Sequence, residues 1–219
     1  MHRHPALRTE IEARLARFDR LSRVEPGHRA AAVAVAIADE GTGADLPGID
    51  VPAIWSERAA LLLTRRSAAL RDHAGQWALP GGRIDGAETA EEAALRELRE
   101  EIGLMADAGA VLGRLDDYVT RSGFVITPVV VWAGAARQLL ANPDEVQSIH
   151  RIPVTEFLRP DAPMLEHLPD LAAPVLRMPV GRQWIAAPTA AVLYQFRELC
   201  VCGRPTRVAH FEQPRFAWK

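Results

Sequence analysis

The chain has 219 residues and is 48% hydrophobic, which suits one domain with a substantial core. Its formal net charge of −2 argues against a general nucleic-acid binder, because such proteins carry a strongly basic surface. The apolar runs fall short of the roughly 20 residues that a membrane-spanning helix needs, so we expect no membrane partner. Cys200 and Cys202 lie too close in sequence for an ordinary disulfide, and we expect free thiols in a cytoplasmic protein.

The first part of the chain carries an amphipathic pattern. Apolar side chains recur at helical spacing from Leu7 to Leu21, which predicts a docked helix over residues 5–22 that Pro26 and Gly27 bring to an end. The arginine content resembles a mitochondrial transit peptide, but the acidic residues of the same segment argue against one. We therefore divide the chain into an N-terminal helical extension at 1–28, a main domain at 29–202 and a C-terminal tail at 203–219.

Apolar runs predict the strands of the main domain. The run at 30–38 is apolar on both faces, so we expect its strand in the centre of a sheet. The other predicted strands are 59–64, 111–120, 124–132, 146–152 and 183–186. Turn residues predict a hairpin at 121–123 and a turn at 142–144, and irregular segments at 39–55, 65–80 and 158–179.

Helices and strands alternate in the second half of the chain. A short helix is predicted at 154–158, and Thr189 is a candidate N-cap for a helix that runs through Leu199. Strands on both sides of helical segments favour an α/β domain layered around a mixed sheet. The aromatic residues of the tail are expected to pack on the domain or on a neighbouring subunit; they are Phe211, Phe216 and Trp218.

Residues 82–104 hold the most informative pattern, a glycine loop followed by an acidic helix. Thr89 and Glu92 form a capping box, which predicts that the helix begins near Ala90. Gly103 can take the left-handed conformation that ends a helix. At about 100° per residue the apolar side chains share one face that should pack inward. They are Ala94, Leu95, Leu98 and Ile102.

A group of acids flanks that face. Glu97, Glu100 and Glu101 stand at positions i, i+3 and i+4, so their carboxylates cluster on one side of the helix. A hard divalent cation offsets their repulsion, because carboxylate oxygens are the ligands that Mg²⁺ and Mn²⁺ prefer. Arg96, between Glu92 and Glu100 at helical spacing, can hold the acids in place. The same composition is also typical of a solvated helix face with many salt bridges.

The spacing decides between these interpretations. From Gly82 the order is glycine, five residues, glutamate, seven residues, then Arg-Glu-Leu-x-Glu-Glu-x-Gly-Leu. Seven fixed residues, each with a usage of roughly 7%, coincide by chance with a probability on the order of 10⁻⁸ per window. The order matches the Nudix box at every fixed position, and the chain therefore resembles the Nudix hydrolases. The resemblance implies an α/β/α sandwich around a mixed sheet and metal-dependent hydrolysis of a phosphoric anhydride.

A second motif precedes the box and is similar to that of the coenzyme A pyrophosphatase subgroup. Its residues are Leu62-Leu63-Thr64-Arg65-Arg66-Ser67, then Arg71, Gly75 and Leu79-Pro80-Gly81-Gly82. Leu79 departs from the pattern, because the subgroup usually has phenylalanine there. Trp184 and Thr189-Ala190 are also similar to the subgroup. The resemblance implies hydrolysis of coenzyme A, or of its derivatives, to 3′,5′-ADP and 4′-phosphopantetheine.

The candidate site residues follow from these motifs. Arginine forks suit phosphate oxygens and glycines permit close backbone approach, which gives substrate-binding candidates. They are Arg66, Arg71, Gly81, Gly82 and Arg83. The candidate ligands for Mg²⁺ or Mn²⁺ are Glu97, Glu100 and Glu101. The general base is sought among Glu97, Glu100 and Glu145, the last of which follows a predicted turn, and Arg96 completes the catalytic set.

Two alternatives remain open at this stage. The box is shared by Nudix hydrolases of other nucleoside diphosphate derivatives, such as ADP-ribose or NADH, so only residues 62–80 favour coenzyme A. A catalytically silent Nudix domain that acts as a ligand sensor or protein-binding module is the second alternative, although such domains usually have their box glutamates replaced. We expect a small coenzyme A-like nucleotide as partner, and a homodimer is a further expectation.

Overall fold

The computed structural model describes residues 1–70 and 73–214. Its α-helices are α1 (Pro5–Arg17), α2 (Ala90–Ile102) and α3 (Thr189–Phe196). Its strands are β1 (Arg29–Gly41), β2 (Ser56–Arg66), β3 (Trp77–Ala78), β4 (Gly81–Arg83), β5 (Val111–Arg114), β6 (Tyr118–Val119), β7 (Phe124–Gly134), β8 (Val146–Pro153), β9 (Met164–Glu166), β10 (Val175–Val180) and β11 (Gln183–Ala186). Short 3₁₀ helices cover Ala108–Ala110 and Val154–Leu158, and a π-helical turn at Arg197–Val201 continues α3.

Strand β1 lies in the centre of the main sheet, as its apolar sequence predicts. It pairs antiparallel with β2 and parallel with β7, so the sheet is mixed. The order across the sheet is β3-β2-β1-β7-β5, with β4 also paired to β1, β6 to β7 and β8 to β2. Gly82 pairs with Ala32 in the β1–β4 ladder, so the glycine loop is anchored in the sheet beside the acidic helix.

Helices cover both faces of this sheet. On one face α2 packs over the alternate alanines of β1, whose small side chains let the helix approach the sheet closely. On the other face, the larger Val35 and Ile37 pack in one cluster with Ile11 of α1 and Leu193 of α3. The fold is thus an α/β/α sandwich around a mixed sheet, which confirms the predicted fold class.

Several predicted elements are confirmed with small changes in length. The strands at 30–38, 59–64, 124–132 and 146–152 are each extended by one to three residues at one or both ends in β1, β2, β7 and β8. The strand at 183–186, the short helix at 154–158 and the turns at 121–123 and 142–144 are present as predicted. The acidic helix begins at Ala90 and ends at Ile102, also as predicted.

Two predictions near Asp116 and Asp117 are corrected by the structure. Helix α1 ends at Arg17 rather than at residue 22, because the segment after it binds the two aspartates. The single strand predicted at 111–120 is divided into β5 and β6, with the aspartates between them. Their buried carboxylates bind the N-terminal segment, and the regular pairing with β7 is interrupted there.

The prediction that residues 158–179 are irregular is wrong. The segment contains β9 and β10, which form a second, three-stranded sheet with β11. Prolines near β10 hide its strand pattern, although Val175, Leu176 and Met178 are buried as in a strand. Residues 65–80 likewise contain β3, whose two residues pair with β2.

The C-terminal part of the fold differs from the prediction at one cap. Pro188, not Thr189, is the N-cap of α3, and the Thr189 hydroxyl instead donates to the Trp77 carbonyl at 3.4 Å. In the tail, Phe211 packs against the core, while residues 215–219, and with them Phe216 and Trp218, lie outside the described residues. Within the described ranges, every helix is too short or too polar to span a bilayer. The division at 1–28, 29–202 and 203–219 stays a prediction.

Candidate metal centre and adjoining cavities

The acidic helix α2 is fixed at both ends by its own sequence. The Thr89 hydroxyl accepts a hydrogen bond from the Glu92 amide at 3.2 Å, and the Glu92 carboxylate accepts one from the Thr89 amide at 2.8 Å. Gly103 ends the helix in the left-handed conformation, at φ 67°. Glu97 and Glu101 therefore lie one turn apart on the face of α2 that meets the sheet, and both are buried.

Three carboxylates converge at this face. Glu97, Glu101 and Glu145 each place a carboxylate oxygen within 4.8 Å of the other two. Glu145 comes from the turn before β8, where its carbonyl accepts a hydrogen bond from the Ser67 amide at 2.8 Å. The Asn142 amide donates to the Glu101 carbonyl at 2.9 Å and ties this turn to α2. Two distant parts of the sequence thus meet in one acidic cluster.

The electrostatics of the cluster favour a bound cation. Burial raises the pKa of Glu101 to about 8, and the nearby charges of Glu97 and Glu145 add to this effect more than Arg66 and the Gly81 amide oppose it. Burial also raises the pKa of Glu97, against the opposing contacts of Arg96. A divalent cation would remove the repulsion, and a set of carboxylate oxygens suits a hard ion such as Mg²⁺ or Mn²⁺. The residues present therefore fit such an ion.

Arg96 connects the acids to the glycine loop. Its guanidinium donates to the carboxylates of Glu88 at 2.8 Å, Glu97 at 2.7 Å and Glu100 at 3.0 Å, and to the Arg83 carbonyl at 2.9 Å. These contacts, those with Glu88 first, raise the pKa of Arg96 above its ordinary value. Glu92, which the sequence analysis placed beside Arg96, is occupied by the capping box instead. Arg96 thus links the Glu97 carboxylate, through hydrogen bonds, to Glu88 and to the Arg83 carbonyl.

Glu100 and the remaining arginines lie around this cluster. Glu100 is exposed and stands outside the group of three carboxylates, so its role as a metal ligand or base stays a prediction. Arg83 is also exposed, and its carbonyl, rather than its side chain, contacts the site through Arg96. Arg66 is half-buried beside Glu101, and its Nε atom has no hydrogen-bond partner among the residues described. Arg71 lies outside the described residues.

Gly81 and Gly82 are required by their surroundings. A Cβ atom on Gly82 would lie 2.1 Å from Oε1 of Glu97, and one on Gly81 would lie 2.5 Å from the carbonyl oxygen of Ala32. Gly81 therefore lies against the backbone of β1, and Gly82 lies against a carboxylate of the cluster. Close approach was predicted from the sequence, but the structure shows that the neighbours are protein groups.

Two neighbouring cavities lie on this side of the fold, and the smaller one is next to the acidic cluster. The smaller one, of about 150 Å³, is lined in part by Arg66 and Gly81. The larger one, of about 430 Å³, lies between residues 75–77 and β11, and we call it the tryptophan cavity after Trp77 and Trp184 in its walls. Pro188 and Thr189 line both cavities, so the two are neighbours.

The tryptophan cavity is not predicted by the sequence. Trp184 and Thr189 were noted only as similar to a subgroup, and Arg182 and Gln183, which also line the cavity, carry no local signal of a site. These residues are about a hundred positions from Trp77 in the sequence. The second sheet, which includes the segment predicted to be irregular, brings them to the same cavity. A prediction of β9 and β10 would have been needed to place them together.

Comparison with known proteins agrees with this architecture. A NUDIX domain model matches residues 45–171, which is more than half of the chain. Nudix hydrolase 3 of Caenorhabditis elegans is 42% identical over 106 residues, which are 47% of this chain and 44% of that protein. An uncharacterized Nudix hydrolase NudL of Citrobacter koseri is 41% identical over 110 residues, which are 50% of this chain and 57% of that protein. The chain thus spans about half the length of the curated relatives it matches.

Among solved structures, a MutT protein from Methanosarcina mazei Go1 aligns with 64% of this chain and 83% of its own length, at 19% identity and a TM-score of 0.43. The NUDIX domain of Shewanella oneidensis NrtR, solved with ADP ribose, aligns with 62% of this chain and 82% of its own, at 18% identity and a TM-score of 0.41. The domain match, which covers the acidic helix and its partner turn, settles the question of family: this chain belongs to the NUDIX family.

Proposed function

We propose that the chain hydrolyses a phosphoric anhydride bond in a nucleoside diphosphate derivative and depends on Mg²⁺ or Mn²⁺. The observation that carries this proposal is the convergence of Glu97, Glu101 and Glu145 within 4.8 Å in a NUDIX domain. Two of these acids are buried, and buried carboxylates without a compensating cation are costly. The curated relatives are named as Nudix hydrolases, which supports the same reaction class.

Each residue has a role in this proposal. Glu97 and Glu101 would hold the cation, which would supply charge neutralisation at the phosphate oxygens. Arg66 would bind a phosphate oxygen, since this half-buried arginine lines the smaller cavity beside Glu101. Water attacks one phosphorus atom, the bond from that atom to the bridging oxygen breaks, and a carboxylate accepts the proton of the water. Glu145 is the preferred acceptor because it is exposed at the edge of the cluster.

Coenzyme A is the substrate that we propose. The sequence of residues 62–82 resembles that of coenzyme A pyrophosphatases, and so do Trp184 and Thr189. Gly75 and Gln76 from the first stretch line the tryptophan cavity together with Trp184 and Thr189. Two separate parts of the resemblance thus line one cavity, which shares Pro188 and Thr189 with the smaller cavity. The expected products are 3′,5′-ADP and 4′-phosphopantetheine.

The test is hydrolysis in ¹⁸O-labelled water with Mg²⁺ or Mn²⁺, with coenzyme A, ADP-ribose and NADH assayed in parallel. We expect cleavage of coenzyme A and a label in one product, and Glu101→Gln should lower turnover roughly 100-fold or more. Glu91→Gln is the matched control, because Glu91 is on the same helix but pairs with Arg114 at 3.2 Å. It should leave turnover unchanged within about twofold.

The other outcomes separate the alternatives. Cleavage of ADP-ribose or NADH without coenzyme A would keep the reaction class and reject the substrate. No cleavage with either ion would favour the ligand-sensor alternative and overturn the proposal. Normal turnover in the Glu101→Gln variant would reject the assignment of the ligands.

Two further expectations accompany this proposal. We propose a reducing, cytoplasmic location, which suits Cys200 and Cys202 as free thiols. We also keep the homodimer as a prediction, which sedimentation of the full chain would test directly.

A further inference from the structure

The tryptophan cavity has walls from separate parts of the fold. Gln76 and Trp77 line it from the start of β3, Arg182 and Trp184 line it from the β10–β11 turn and β11, and Pro188 and Thr189 also line the smaller cavity. Its volume, about 430 Å³, lies within the range of small-molecule sites. The proposed catalytic residues do not line it, so the part of a ligand that occupies this cavity is distinct from the part that reacts.

Trp77 gives the cavity a rigid aromatic wall. The Arg65 guanidinium stacks 3.9 Å from the centre of the indole, and the His150 ring packs on it edge-on at 4.9 Å. Arg65 in turn donates to the Gly75 carbonyl at 2.9 Å. Trp77 is 92% buried, yet its indole N–H has no hydrogen-bond partner in the described part of the chain. Because this N–H is also closed to solvent, Trp77 supports the wall of the cavity from behind and is not itself a contact for a ligand.

Arg182 supplies a positive charge at the cavity. Its amide donates to the Pro47 carbonyl at 3.0 Å, which fixes the backbone of the β10–β11 turn. The side chain is exposed and forms no ion pair within the described residues. Next to it, the Trp184 ring is supported by the Arg177 guanidinium at 4.1 Å. The cavity therefore combines the exposed Trp184 indole with an arginine that can bind an anion.

We propose that the tryptophan cavity binds the adenosine 3′,5′-bisphosphate end of the substrate, with the base against Trp184 and the 3′-phosphate on Arg182. The inference rests on the proposed function and names which end of coenzyme A occupies the cavity. Aromatic side chains stack with bases, and arginine binds phosphate oxygens through paired hydrogen bonds. The pantetheine arm is an uncharged chain and offers no anion to Arg182. Pro188 and Thr189, shared by both cavities, connect this end to the pyrophosphate position beside Arg66.

Binding without metal tests this inference apart from catalysis. Isothermal titration of 3′,5′-ADP and of AMP, in the presence of a chelator, compares two ligands that differ only in the 3′-phosphate. We expect the unmodified protein to bind 3′,5′-ADP roughly tenfold or more tightly than AMP. Arg182→Ala should remove this preference and leave AMP binding unchanged, whereas Trp184→Ala should weaken both ligands about tenfold. Arg114→Ala, which removes an exposed arginine elsewhere, is the control and should change neither.

Several results would contradict the assignment of the adenosine 3′,5′-bisphosphate end to this cavity. Equal binding of the two ligands, no measurable binding of either, or an Arg182→Ala variant that keeps the preference would each reject the assigned role. Competition by 4′-phosphopantetheine, with 3′,5′-ADP binding unaffected by Arg182→Ala, would place the other end of coenzyme A in the cavity. Thermal unfolding of the variants checks that they fold, which is expected because both side chains are exposed. A protein that binds 3′,5′-ADP as expected but cleaves no coenzyme A would reject the proposed function alone.

Discussion

At the scale of single residues, two neighbouring glycines have separate tasks. We predict that Gly82→Ala displaces the Glu97 carboxylate, since the new Cβ would lie 2.1 Å from its Oε1 atom, and lowers turnover about 10- to 100-fold. Stability should change little, because a side-chain end can move. Gly81→Ala instead meets the backbone of β1, at 2.5 Å from the Ala32 oxygen, and should lower the free energy of unfolding by about 1–3 kcal/mol.

Steady-state kinetics and urea unfolding of the two variants check this contrast. The result that would contradict it is a Gly82→Ala variant with full turnover, or a Gly81→Ala variant as stable as the unmodified protein. Either result would mean that the sheet and the helix can move apart without a cost in free energy.

Glu101 makes the metal-free protein sensitive to pH. Its pKa is about 8 in the folded chain against 4.5 for the ordinary side chain, so between these values the folded state holds a proton that the unfolded state has lost. The free energy of unfolding without metal should therefore decrease as the pH rises from about 5 to about 8. Cation binding should displace this proton and strengthen as the pH rises over the same window.

Thermal unfolding in a chelator, at several pH values, measures the first effect, and titration calorimetry in two buffers measures proton release. Glu101→Gln is the comparison, because it keeps the shape of the side chain and cannot ionise. It should flatten the pH dependence, and an unchanged slope in this variant would assign the effect to another group.

At the residue scale, the sequence predicts proximity only where the residues are close together in the chain. Glu97 and Glu101 could be paired from helical spacing alone, because one turn of helix fixes their distance. Glu145 could be proposed only from its place after a turn, and the fold was needed to bring it to α2. Trp77 and Arg182 could not be paired at all, since no local pattern relates residues so far apart.

At the scale of elements, the capping box determines how well α2 is held in place. We predict that Thr89→Ala lowers the free energy of unfolding by about 1 kcal/mol, because the Glu92 amide loses its acceptor at 3.2 Å. Cation affinity should be unchanged, since Glu97 is about two turns further along the helix. Chemical unfolding with parallel cation titration measures both quantities, and Thr89→Ser should restore the stability. A loss of affinity larger than the loss of stability would contradict this separation.

Elements with a strong hydrophobic periodicity or clear capping residues could be predicted from the sequence. Elements that depend on contacts with distant parts of the chain could not. The α2 helix carries its own start and stop, so its bounds were correct. The strand β10 contains Pro179 and directly follows Pro174, and its place in a sheet depends on β9 and β11. The end of α1 was misplaced because Asp116 and Asp117 redirect the following chain, which local spacing does not reveal.

At the scale of the whole molecule, these two aspartates hold the ends of the chain to the domain. Asp116 accepts hydrogen bonds from the Leu21 amide at 2.7 Å and from Arg207 at 2.6 Å. Asp117 accepts from the Arg23 amide at 2.8 Å and also pairs with Arg20. Both carboxylates are buried and fully engaged, in contrast to the acidic cluster, so they serve the fold rather than a metal.

We therefore predict that Asp117→Asn lowers the free energy of unfolding by about 3 kcal/mol, because a buried ion pair loses one partner. The amide group that replaces one carboxylate oxygen is also a donor, and it would face other donors such as the Arg23 amide. Limited proteolysis should cut the variant more rapidly between α1 and β1, while cation affinity at low temperature stays the same. Asp161→Asn, at an exposed pair with Arg159, is the control and should change stability by no more than about 0.5 kcal/mol. Equal stability of the two variants would mean that the ends of the chain are held by apolar packing alone.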